Sequence, residues 1–148
     1  MRHEPIKHSG FAVLFITLSY FEMIGRYRAG DCTDTKSGRF FKEGVRSVFP
    51  GLDTLKNPGW AELLLADLYK KVRCGLYHVA ALGQNVVLIG GIPEVFRYDA
   101  GRQILVINPH HVPPLLRVNL DDYRDELRDP ASLAVRANFE TRLDFDNP

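Results

Sequence analysis

At 148 residues, with 45% hydrophobic and 25% charged side chains, the chain has the composition of one soluble globular domain, long enough to bury a core. Its two cysteines, Cys32 and Cys74, make no disulfide framework, so a reducing, cytoplasmic setting is the simplest expectation. The net charge of +1 is no nucleic-acid signature by itself, but residues 1–80 carry 12 Lys+Arg against 8 Asp+Glu, whereas residues 81–148 carry 7 against 10.

Residues 1–8 are a polar lead. Arg2 and Lys7 ahead of the apolar run Phe11–Ile24 mimic a signal peptide, yet Thr17, Ser19 and Glu22 interrupt it and no small-x-small cleavage pattern follows. A bilayer span takes about 20 apolar residues, so no membrane segment is expected. The run Phe11–Gly25 reads as a helix apolar nearly all round, whose two faces should both be covered, one by its own bundle and one by a second subunit. Tyr20 and Glu22 near its end are the polar exceptions, and a carboxylate in such surroundings needs a partner. Arg26 at i+4 is the nearer one; Arg73 is the alternative, and would make Glu22 support the site described below.

Gly30–Ser37 is a loop by composition, with Asp31 and Asp34 expected to cap turns rather than bind metal. A short helix is expected over Gly38–Phe49, burying Phe40, Phe41, Val45, Val48 and Phe49. On its other side Arg39, Lys42 and Arg46 repeat at three and four, a basic stripe suited to a phosphate backbone. Pro50-Gly51 ends this segment.

The chain is organised around Asn57–Gly83, which predicts one helix of about seven turns. Asn57 is a suitable N-cap, Pro58 fits the first helical position, and Gly83 is placed for a left-handed C-terminal cap. Leu65, Leu68, Tyr69, Val72, Leu76 and Val79 form its apolar stripe. Near its end lie Arg73, Tyr77 and His78. At about 100° per residue Arg73 and Tyr77 share a line, and His78 falls about 140° round from Arg73.

Past Gly83 the period changes. Val86–Ile89 is a short β-branched run, and Val95–Tyr98 and Ile104–Ile107 flank a turn-rich stretch that reads as a hairpin. The glycines of Gly90-Gly91-Ile92-Pro93 match no phosphate-binding loop. His110-His111 lack the companions of a zinc motif, so no metal is assigned. A helix from about Pro113 to Arg128 should bury Leu116, Leu120, Tyr123 and Leu127. Asp129 and Pro130 should open a last helix, Pro130 to about Leu143, held by Leu133, Phe139 and Leu143, with a frayed tail from Asp144 to Pro148. The expected fold class is mainly α: one domain over 1–148, with core helices over about 8–83, a small β-hairpin or short-strand appendage over about 85–108, and C-terminal helices over about 113–143.

Arg73, four residues, then His78, late in a long amphipathic helix, resembles the R-x4–6-H signature of HEPN domains, and the resemblance covers roughly residues 8–83. It implies a helical bundle that dimerises and a metal-independent endoribonuclease of a toxin–antitoxin or related defence system, with RNA as substrate, no cofactor and an antitoxin or other partner protein. It further implies that Arg73 and His78 are catalytic; the chemistry of the residues themselves adds Tyr77 and Glu22 as supporting groups and the stripe Arg39, Lys42 and Arg46 as the contact to RNA phosphate. Many active members carry a polar residue, often Asn, directly after the arginine; here it is Cys74. The alternative is therefore a non-catalytic HEPN-like module that binds a nucleotide, RNA or a partner.

Overall fold

The run from Ser9 to Ala29 forms a single helix, α1, four residues longer at its C-terminal end than the apolar pattern alone suggests. A computed structural model describes residues 9–33, 35–54 and 59–148, Thr54 by its backbone alone. Leu14, Leu18, Phe21 and Ile24 face the core, one helical face as the three-and-four spacing requires. The opposite face is bare: Ile16 is 71% exposed, and Phe15 and Met23 are exposed beside it.

The second helix, α2, spans Ser37–Val48 and buries Phe40, Phe41, Val45 and Val48. It meets α1 with backbone against backbone. A Cβ at Gly44 would lie 1.7 Å from the Phe21 carbonyl oxygen, and one at Gly25 would lie 2.1 Å from that of Phe40. Any side chain at either position would force the helices apart.

A 3₁₀ turn, Leu52–Thr54, leads towards the central helical run. The expected cap Asn57 and first-turn Pro58 lie outside the described residues. The run is helical from Trp60 to Val79 but not uniformly so: α3 spans Trp60–Asp67, a π-helical segment spans Leu68–Arg73, and α4 spans Cys74–Val79. Leu64, Leu65, Leu68, Val72 and Leu76 are buried as the stripe predicts. Val79 is not; it is 72% exposed. The i→i+5 bonding of a π segment shifts the phase of all that follows, so an ideal wheel loses registration by the last turn. The cap differs too. Ala80 adopts the left-handed conformation (φ 51°), while the Gly83 amide folds back to donate to the Lys71 carbonyl at 2.7 Å.

The β segment is a three-stranded sheet of β1 (Val86–Leu88), β2 (Phe96–Asp99) and β3 (Ile104–Ile107), in the order β1-β3-β2. The hairpin expectation holds for β2 and β3, which pair antiparallel with Phe96 opposite Ile107. Strand β1 adds a parallel pairing, Val86 opposite Leu105, that the sequence reading did not contain. Leu105 and Ile107 are fully buried in the same apolar cluster as α1, α2 and the central run, so this sheet is a wall of the core. The Tyr98 hydroxyl donates to Asp67 (3.1 Å), and Trp60 Nε1 donates to the Tyr98 carbonyl (3.3 Å), tying the sheet to α3.

Buried Asn108 then caps the 3₁₀ turn Pro109–His111, accepting from the His110 amide and donating to the Gly90 and Ile92 carbonyls. Helix α5 spans Val112–Arg128. Its buried positions are Val112, Leu116, Asn119 and Tyr123, and Leu120, expected inside, is 49% exposed. A polar residue has taken that place because its bonding is met: Asn119 accepts from the Tyr20 hydroxyl (2.9 Å) and donates to the Ser47 carbonyl (2.9 Å).

The last helix, α6, spans Leu133–Asp146, so Asp129 and Pro130 belong to the preceding turn and the supposed tail is helical to Asp146. Leu133 and Leu143, expected as its anchors, are exposed; Phe139 packs on Tyr27 and Tyr123. Polar contacts hold it instead. Arg142 donates to the Asp31 carbonyl (3.0 Å) and Asn138 to the Arg28 carbonyl (2.8 Å). The chain is thus mainly helical with a small sheet, and among the described residues no helix is long and apolar enough to cross a membrane.

Candidate functional site

Three elements, α1, α2 and the central run, converge on the carboxylate of Glu22. It lies on the inward-turning side of α1, where Arg26 follows one turn later and donates Nη2 to Oε1 at 3.0 Å. From the central run, Arg73 Nη2 reaches Oε2 at 2.8 Å. From the start of α2, the Ser37 hydroxyl donates to the same Oε2 at 2.9 Å, and the Tyr69 hydroxyl donates to Ser37 Oγ at 3.3 Å. Glu22 therefore holds both candidate partners at once.

Burial alone would push the Glu22 carboxyl up, but the hydrogen bonds from Arg26, Ser37 and Arg73 outweigh it and hold the group below the ordinary glutamate range. Glu22 is thus ionised near neutrality. For Arg73, burial works against the charge, and the Glu22 carboxylate more than restores it.

Arg73 is also clamped by aromatic faces. Its guanidinium carbon lies 4.9 Å from the Tyr77 ring centre and 5.6 Å from that of Tyr69. Tyr77 is in turn stacked on Phe15 (5.2 Å, 20° between planes), which joins the site to the bare face of α1. The side chain of Arg73 remains 20% exposed, on the wall of a cavity of about 270 Å³. Glu22, Arg26 and Tyr77 share that wall, and α6 closes it with Arg142 and Asp146, themselves paired at 2.5 Å. Three guanidinium groups face two carboxylates, a net positive cavity.

The structure thus brings together Arg73, Tyr77 and Glu22. His78 does not join them: it is exposed, off the cavity wall, and has no hydrogen bond or ion pair among the described residues. That follows from its angular offset from Arg73 in the helix. Arg39, Lys42 and Arg46 do share one face and, with Tyr69, border a second cavity of about 480 Å³. Their charge is largely spent. Arg39 pairs with Glu43 (2.7 Å), and Arg46 pairs with Asp53 (3.1 Å) and with Glu62. Lys42 alone has no acidic partner among the described residues.

Among the described residues no group of three or more His, Cys, Asp and Glu is placed to hold a metal ion. Asp31 accepts from the amide and hydroxyl of Thr33, an Asx turn, and Asp34 lies outside the described residues. His111 Nδ1 lies 3.0 Å from the Pro93 carbonyl oxygen.

The residues that sequence reasoning missed are Ser37, Tyr69 and Arg142. The spacing of Tyr69 places it on the apolar stripe, and its ring does pack on Phe41. Arg142 carried no signal at all, since nothing local relates it to a residue on α1. Compared with models of protein families, with curated proteins and with solved structures, the chain matches none.

Proposed function

We propose that the chain is a HEPN-like domain that cleaves RNA as a homodimer, without a metal, and serves as the cytoplasmic toxin-type component of a two-gene defence system. The observation that carries this reading is the state of Arg73. One nitrogen is committed to Glu22, aromatic rings hold its faces, and the side chain opens onto a positively charged cavity. A guanidinium so fixed is prepared to grip a phosphate and to stabilise charge developing on its oxygens.

In the proposed reaction, the ribose 2′-OH attacks the adjacent phosphorus as a base takes its proton. The new O2′–P bond forms, the P–O5′ bond breaks, and a proton passes to O5′, leaving a 2′,3′-cyclic phosphate and a 5′-hydroxyl. His78 has the intrinsic pKa range for the proton transfers. One imidazole cannot stand on both sides of the phosphorus, so two copies are needed. The bare face of α1, with Ile16, Phe15 and Met23 exposed beside Tyr77, is the surface a second copy would cover.

Purified protein incubated with end-labelled RNA in EDTA tests this. Cleavage to cyclic-phosphate ends is expected, and His78→Ala should lower it by about 10² or more. Absence of cleavage by a folded dimer would refute the nuclease reading. Two observations favour a second one, a non-catalytic module that binds a nucleotide, RNA or a partner protein. Cys74 follows Arg73, and nothing within the described residues orients His78. Such a module would bind RNA or its partner equally well with His78→Ala.

A further inference from the structure

We infer that Tyr69 is a positioning residue for Arg73, acting through its ring and its hydroxyl together; the inference rests on the reading of Arg73 as the group that grips phosphate. The two residues are neighbours on the π-helical segment, and the Tyr69 ring centre lies 5.6 Å from the Arg73 guanidinium carbon. The hydroxyl acts through a different route. It donates to Ser37 Oγ (3.3 Å), Ser37 donates to Glu22 Oε2 (2.9 Å), and the same oxygen receives Arg73 Nη2 (2.8 Å). A residue present only to fill the core would need no hydroxyl. Here the hydroxyl begins a chain that ends on the oxygen holding Arg73.

The approach of the ring to α2 is itself built in. A Cβ at Gly38 would lie 3.0 Å from Tyr69 Cε1, so glycine at this position gives the ring its place and brings the hydroxyl to Ser37. The other carboxylate oxygen, Oε1, is occupied by Arg26. With both oxygens fixed, Glu22 cannot rotate away, and Arg73 Nη2 stays committed to it. The rest of the guanidinium is then held at one angle to the cavity, whatever enters. A phosphate meeting a preset fork loses less freedom than one that must order it.

The test uses the full chain, ¹⁵N-labelled, with the Arg73 Nε–Hε signal assigned by its loss in Arg73→Lys. Binding is titrated with a 2′-O-methyl RNA oligonucleotide, which cannot be cleaved, and each variant is unfolded in urea to confirm that it is native. Tyr69→Phe and Ser37→Ala should each shift the Arg73 signal and weaken binding about two- to tenfold, the range of one hydrogen bond. Ser37→Thr, which keeps the hydroxyl, should restore both, and Tyr69→Leu should weaken binding further. An Arg73 signal unmoved in Tyr69→Phe and Ser37→Ala overturns the inference, as does unchanged affinity for an oligonucleotide that the wild type binds. If Tyr69→Leu does not fold, the other two variants decide. If the wild type does not bind but the Arg73 signal still shifts, the positioning role stands and the phosphate-gripping reading falls.

Discussion

Replacing Glu22 isolates the junction on which the candidate site depends. Its side chain is 18% exposed, and its carboxylate receives hydrogen bonds from Arg26, Ser37 and Arg73. Glu22→Ala would leave two cations, 11% and 20% exposed, facing one another without a counter-charge. Removing one member of a fully buried pair costs about 3–5 kcal/mol, and the residual solvent here brings the expectation to about 2–4 kcal/mol. On a chain of this length that is a fall in Tm of about 4–16 °C. Glu22→Gln keeps the volume and one acceptor and should cost about half as much. The pH dependence supplies a second check. Because the folded carboxyl titrates below its unfolded value, its stabilisation is complete above the unfolded range and disappears as pH falls through the folded one. The gap between wild type and Glu22→Gln in urea midpoint should therefore be constant near neutrality and close below about pH 4. A Glu22→Ala change within about 0.5 kcal/mol, the range of ordinary surface substitutions, would refute the reasoning. So would a gap that widened in acid.

Gly44→Ala should cost more than about 3 kcal/mol, because its Cβ would meet backbone at Phe21 that no side-chain rotation relieves; urea unfolding would measure it. Asn119→Leu should cost about 2 kcal/mol despite being an apolar replacement in a buried position, since it strands the Tyr20 hydroxyl and the Ser47 carbonyl. Urea unfolding near neutral pH measures it, where Tyr20, pushed up to about 12 by burial, stays protonated. Ile16→Glu should convert a dimer to a monomer in sedimentation velocity while leaving the unfolding midpoint of the monomer nearly unchanged, because Ile16 is 71% exposed there. A wild type that sediments as a monomer at working concentration would count against the proposed dimer.

What was legible in the sequence is what local periodicity encodes. The positions of α1, α2 and α5 and of the β2–β3 hairpin all follow from spacing, since each buries a continuous stripe or alternates across a pleat. What was not legible depends on partners distant in the chain. Asn119 looks like a solvated residue until Tyr20 and Ser47 are beside it, and the reading that favoured Leu120 simply chose the more apolar neighbour. Helix α6 escapes periodicity for the same reason: it docks by Arg142 and Asn138 on backbone carbonyls of a loop and of α1, and leaves its leucines out. The close contact of Gly25 and Gly44 joins two helices and has no signature in either. At the site, the pair of Glu22 and Arg26 is a four-residue spacing and could be read directly, whereas Glu22 and Arg73 could be paired only as an alternative. The π segment that carries Tyr69 and Arg73 has no sequence pattern comparable to the helix stripe, and it is this segment that moved Val79 off the buried line.

The apolar face of α1 and the charged cavity are not separate features, because Met23 belongs to both and Tyr77, on the cavity wall, stacks on Phe15 of that face. On the proposed reading this overlap matters energetically. Covering Phe15, Ile16 and Met23 with a second copy would remove water from the edge of the cavity and lower the effective dielectric around Arg73. The attraction of its guanidinium for a phosphate would grow, while Glu22, already ionised and multiply hydrogen-bonded, would hold its geometry. The same contact is what could carry an exposed His78 of one copy towards the Arg73 cavity of the other, since in a single copy the helix directs the two side chains apart. On that reading a lone chain would hold a prepared anion grip without its proton-transfer group, and association would supply both the group and the drier surroundings in one step.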